Sequence, residues 1–151
     1  VANSKRKTIL DYLRDTTLAA ITTAGGYNFD VGNVSRGIEP VDALPDSSFP
    51  ALYITGNRAV RNNISRLTVK SLLQVVIECY VKRSGDTNGL QSDLDNLIED
   101  VSEALEQDRT LGGNCDHLEI QEVVADDGDL APHAVAAIAV EIQYHAEGTA
   151  V

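Results

Sequence analysis

From Arg66 to Arg83 alternation dominates, and in the second half Leu73, Val75, Ile77, Cys79 and Val81 alternate with Gln74, Glu78, Tyr80 and Lys82. A period of two is that of a β-strand, whose side chains point in turn to opposite faces. One of the two faces is half polar, so the strand predicts an antiparallel sheet covered on one side rather than a parallel sheet buried on both. Just beyond it the period changes. Leu90, Leu94, Leu97, Ile98, Val101, Ala104 and Leu105 recur at helical steps, with Asp93, Asp95, Glu99, Asp100, Glu103 and Glu106 placed outside the stripe. This pattern predicts a helix over about 87–108, opened by Asp86 or Thr87 as cap and stopped by Leu111-Gly112-Gly113.

A first helix is expected over about 4–23, on the spacing of Ile9, Leu10, Leu13, Thr17, Ala20 and Ile21, with Gly25-Gly26 as its stop. Asn33 to Glu39 reads as a short strand, with Pro40 and Pro45 confining the connection after it to edge or loop conformations. Ala51 to Thr55 reads as a strand entered at Pro50 and closed by Gly56-Asn57. The segment about 56–72 is then a protruding basic loop or hairpin around an Asn62-Asn63 turn. Leu118 to Val124 and Ala134 to His145 read as a closing hairpin over about 116–145, with a loose tail after it, 146–151. The fold class expected is α+β, a mostly antiparallel β-sheet with two amphipathic helices packed on one face, in a single domain of 151 residues.

Composition narrows the function classes. With 43% hydrophobic and 23% charged residues the chain is globular in type, which excludes collagen-like and low-complexity readings. A net charge of −11 repels phosphate backbones and anionic lipid, making nucleic acid a poor partner. The longest apolar stretches, Leu72 to Ile77 and Ala134 to Val140, fall far short of the roughly 20 residues a spanning helix needs, so no membrane partner is expected. The basic start, Val1 to Lys7, leads straight into an amphipathic pattern without the features of a secretory signal. Cys79 and Cys115 therefore read as buried thiols in a reducing compartment.

Candidate chemistry is sparse. The carboxylates of the second helix read as a solvated face. Asp126-Asp127-Gly128-Asp129 lacks the alternating spacing and distal Glu of a calcium loop and reads as a hairpin turn. Cys115-Asp116-His117 pairs a thiol with an imidazole, but the further ligands a zinc site needs are at irregular distances. No Gly-x-Ser-x-Gly elbow is present, and both Gly-Gly pairs come after helices, whereas phosphate-cradling glycines precede one. His133 and His145 read as plain surface residues. The expectation is no catalytic residue, no metal and no cofactor.

The uncommon feature is where the charge lies. Residues 1–85 carry 11 basic and 7 acidic groups, and residues 86–151 carry 1 basic and 16 acidic. The basic part includes Arg58, Arg61, Arg66 and Lys70. Such polarity suits a positive edge of one copy meeting the acidic helix of the next, and a head-to-tail contact of that kind closes into a ring.

The order of these segments resembles the tail terminator (tail completion) proteins of long-tailed bacteriophages. The residues that carry the resemblance are the strand entry Phe49-Pro50-Ala51-Leu52 and the strand end Ile77-Glu78-Cys79-Tyr80-Val81. They continue with the helix Leu94 to Leu105, the turn Asp108-Arg109-Thr110-Leu111-Gly112-Gly113, Leu118-Glu119-Ile120, and the last strand Ala139-Val140-Glu141-Ile142-Gln143-Tyr144. Together they span about residues 5–145. The resemblance implies a virion protein assembled in the host cytoplasm, a homo-hexameric ring on the head-proximal end of the tail tube. That ring stops tube polymerisation and offers a surface to head–tail connector or neck proteins, and viral DNA passes through its channel without specific binding. Arg58, Arg61, Arg66 and Lys70 are the candidate subunit or tube interface. Alternatives are another neck ring protein, a connector or stopper, and a small-molecule-binding α+β module, which would need a pocket with convergent polar groups.

Overall fold

The computed structural model describes residues 4–37, 40, 43–65, 68–126, 130 and 132–147, and for Asn57, Asn63, Ala146 and Glu147 the backbone alone. Helix α1 (Lys5–Tyr12) is capped by Ser4, whose hydroxyl accepts from the Lys7 amide at 3.0 Å. It runs into a π-helical stretch, Leu13–Leu18, so the regular helix expected to Thr23 ends earlier. A turn of i→i+5 geometry rotates the residues after it about the helix axis. Leu18 is accordingly buried and Ala20 exposed, the reverse of what an unbroken 3.6-residue stripe requires.

Strands β1 (Asn33–Arg36), β2 (Ala51–Asn63), β3 (Thr68–Lys82), β4 (His117–Ala125) and β5 (His133–Glu147) form one sheet in the order β1-β2-β3-β5-β4. β1 is parallel to β2, and every other pair is antiparallel. The α+β class expected from the alternating strand is the one observed. Helix α2 (Thr87–Gln107) connects β3 to β4, and its cap Asp86 accepts from the Gly89 amide at 2.9 Å.

The core lies between the helices and one face of the sheet. Leu52, Ile54, Leu73, Val75, Ile77, Cys79 and Val81 meet Leu90, Leu94, Leu97, Val101 and Leu105 of α2 and Ile9, Leu10 and Leu13 of the first helix. From β5, Ala134, Ala136, Ile138, Val140, Ile142 and Tyr144 complete that face. After α2 the chain turns through Leu111, buried at φ +48°, and Gly112, at φ +67°. A Cβ on Gly112 would lie 2.7 Å from the Tyr12 hydroxyl, so the turn needs glycine for space as well as for its left-handed backbone.

Asp100 and the end of β2 also depart from the sequence expectation. Asp100 is 1% exposed, not on the solvated face. Its carboxylate accepts from the amides of Asn28 and Phe29 and from the Asn28 side chain, each at 3.0 Å, and so pins the loop before β1 to α2. β2 does not stop at Gly56-Asn57. A register shift between Thr55 and Arg58 absorbs one residue, and the strand continues to Asn63.

Candidate functional site

The extension of β2 turns the expected basic loop into part of the sheet. Arg58 to Asn63 pair with Gln74 to Val69 of β3, and the same β3 residues pair on their other side with Glu141 to Ala146 of β5. Asn62 and Asn63 are thus strand residues, and the chain reverses after them, where the Ile64 and Ser65 amides donate to the Thr68 carbonyl. β1 covers β2 only from Ala51 to Ile54. Beyond that point, among the described residues, no strand pairs with the outer side of β2, and Arg58, Ala59, Val60, Arg61 and Asn62 are all exposed.

Register assigns the basic side chains to faces. Arg58 is opposite Gln74 and Lys70 is opposite Asn62, on the face away from the helices; Arg61 is opposite the buried Ser71, on the helix side. Arg58, Lys70 and Val60 therefore share the open face, while Arg61 points from the other. Arg66 lies outside the described residues.

The opposite end of the sheet is β4, which pairs only with β5 among the described residues. Glu119, Gln121, Glu122, Val123, Val124 and Ala125 are exposed. Glu119, Glu122 and Val124 are opposite Glu141, Ala139 and Ala137, which puts all three on the open face. The sheet thus ends in a basic edge on one side and an acidic edge on the other. The acidic helix face expected from the sequence is one of two negative surfaces, and the β4 edge is the one that the sequence reading misses.

The remaining candidates show no assembled chemistry. Cys115 is buried, with its thiol donating to the Arg109 carbonyl at 3.5 Å, and burial first, then the charges of Asp116 and Asp108, push its pKa up to about 11. That is the reverse of an activated thiolate. Burial likewise pushes the Cys79 thiol up to about 12. His145 pairs through Nδ1 with Asp116 at the surface. His133 is not the plain surface residue expected: it is 9% exposed, with its ring 5.3 Å from that of Phe49. No cluster of three metal-ligating side chains occurs among the described residues. Asp126 accepts from the Val135 amide at 3.0 Å as a turn residue, and Asp127, Gly128 and Asp129 lie outside the described residues.

One concavity is an open groove lined by Arg6, Leu10, Arg14, Arg36, Ile54 and Gly56. Its guanidinium groups are already engaged. Arg36 donates to Asp11 at 3.1 Å, Arg14 to Asp15 at 2.7 Å, and Arg6 to the Gly56 carbonyl. The hydrogen bond from Lys7, with help from Arg36 and Arg14, holds the Asp11 carboxyl below the usual range. The cluster ties α1, the π-helical turn and β1 together.

No protein-family model matches the chain, and no curated protein matches it. Among solved structures, it is similar to a chain described as part of the virion of a native gene transfer agent (GTA) particle. The two are 13% identical over 93% of this chain and 92% of that chain, with a TM-score of 0.42. At that score the likeness carries neither fold nor function across to this chain.

Proposed function

We propose that the chain is a structural virion subunit, a phage tail terminator whose six copies form a ring on the head-proximal end of the tail tube. The observation that supports this reading is the element order. The structure has an N-terminal helix, a long β2–β3 pair, α2, the Leu111-Gly112-Gly113 turn and the β4–β5 hairpin, in the sequence the resemblance implies. In that turn Leu111 lies in the core, Gly112 lies against Tyr12, and Gly113 takes a left-handed backbone.

In this reading the protein acts by shape and makes no covalent step. One face of the ring matches the last tube ring, and the other presents a different surface, so growth ends through loss of complementarity. The tail tube protein is the partner on one side and a connector or neck protein on the other, with DNA passing the channel unbound.

Negative-stain images of the concentrated protein are expected to show six-fold rings. Added to polymerising tube protein, the chain should give tubes capped at one end. Tubes that grow uncapped in its presence would overturn the terminator assignment, and detached tails of normal length after its deletion would favour a connector.

A further inference from the structure

The two edges of the sheet that no strand covers among the described residues are complementary. We propose that β4 of one copy adds in antiparallel pairing to the Arg58–Asn63 edge of β2 in the next, extending the sheet from subunit to subunit. This deepens the ring reading by naming the contact that would close the ring.

Direction permits the pairing. β3 is antiparallel to β2, β5 to β3 and β4 to β5, so β4 runs opposite to β2 within the chain. Copies related by rotation about an axis to which the strands are tilted keep that relation, and β4 of one meets β2 of the next in the antiparallel sense.

Level permits it too. Arg58 to Asn63 are level with Glu141 to Ala146 of β5, whereas Glu119 to Ala125 are level with Glu141 to Ala136. The centres of the two free stretches are offset by about five residues, or about 16 Å at the rise of a strand. Four inter-strand spacings, about 19 Å, separate one β2 from the next in such a sheet. The ratio corresponds to a strand tilt of about 40°, within the range of about 35–45° by which closed sheets tilt. The offset also carries β4 clear of β1, which covers β2 only as far as Ile54.

Chemistry then decides the occupant. At this offset Glu122 comes opposite Val60 and within diagonal reach of Arg58, and Glu119 comes to the Asn62–Lys70 end, all on the open face. Val60 is 37% exposed and Val124 56%, so each edge offers a β-branched apolar side chain to the other. Neither free stretch contains Lys or Pro, and the β4 stretch carries a bulge between Ile120 and Glu122 that brings Glu119 and Glu122 onto one face. A basic edge with one apolar residue and an acidic edge with one apolar residue fit a second copy of this chain better than a like-charged surface.

The test uses the full chain in three forms: wild type, Arg58→Glu/Lys70→Glu, and Glu119→Lys/Glu122→Lys. Circular dichroism confirms that each is folded, and sedimentation velocity measures assembly across a concentration series. Wild type is expected to assemble, and each variant alone to associate at least tenfold more weakly. An equimolar mixture of the two variants should recover assembly, because each then supplies the edge the other lacks. Wild-type assembly that survives both reversals would overturn the edge pairing while leaving the ring reading intact. A wild type that stays monomeric at every concentration would also overturn it. Charge-dependent assembly into open chains instead of rings would keep the edge pairing and sink the ring.

Discussion

The two ends of β3 lie in different settings. From Val75 to Val81 it is flanked by β2 and β5 and roofed by α2, and its inward residues Val75, Ile77, Cys79 and Val81 are at most 3% exposed. From Thr68 to Gln74 it runs in an arm whose outer strand is uncovered among the described residues, with five successive β2 residues, Arg58 to Asn62, exposed. The roofed end is built from side chains that are stable only when hidden from water. In the arm Val69, Ser71 and Leu73 still face inward and are buried, but the outer strand, Arg58 to Asn62, is built from backbone pairing with side chains that tolerate water and can be covered later. Stability thus resides in the roofed face of the sheet and association in the outer strand of the arm.

Truncation in the roofed half should have the largest effect. Leu97 is fully buried in α2 against the sheet. Leu97→Ala is expected to lower the unfolding free energy by about 3 to 5 kcal/mol, measured by urea denaturation, since it removes buried methyl groups and leaves a cavity. Asp100→Ala should come next, at about 3 kcal/mol, because the Asn28 and Phe29 amides lose a charged acceptor in a buried place. Hydrogen exchange should speed up at those two amides before it does in β3. Equal speeding throughout would show that Asp100 holds more than the loop.

Asp100 also marks how far the sequence is legible. The period of two in β3 and the helical stripe in α2 each state their own structure, because burial on one face imposes the pattern locally. Asp100 has a signal too: it lies three residues after Leu97 and four before Ala104, inside the stripe, where an ionised group must be paired. The π-helical turn has no comparable signal, since it changes only which of Leu18 and Ala20 faces inward. Gly56-Asn57 resembles a strand end because a bulge and a turn use the same residues. Arg58, Arg61 and Lys70 stand out as a basic strip and lie on the arm. Their acidic counterpart does not stand out, because whether β4 is an edge depends on strand order, which is non-local. Glu119 and Glu122 read the same in a central strand or an outer one until the pairing is known.

The roofed half should also reveal itself in alkaline solution. Burial raises the Cys79 thiol from 9.0 to about 12, so above pH 9 the unfolded chain loses this proton while the folded chain keeps it. The stability that Cys79 contributes is complete below pH 9 and falls as pH rises toward the folded value, by up to about 1.4 kcal/mol per pH unit. Unfolding free energies of wild type and Cys79→Ala at pH 8, 9 and 10 should therefore converge as pH rises. Parallel curves would mean that the thiol ionises in the folded chain as easily as in the unfolded one.

The smallest effect is expected at the arm, and it tests the comparison most directly. Val60→Thr keeps a β-branched side chain at a position that is 37% exposed, so strand preference and backbone pairing with Leu72 should both survive. Urea denaturation at a protein concentration low enough to keep the chain monomeric should show a change below about 0.5 kcal/mol, the ordinary range for a surface substitution. The contrast with Leu97→Ala would then be several-fold within one sheet and its roof. A loss above about 1 kcal/mol would mean that the outer strand of the arm is part of the folding core. The bare edge would in that case hold the monomer together, and the division between a half that folds and a half that binds would fail.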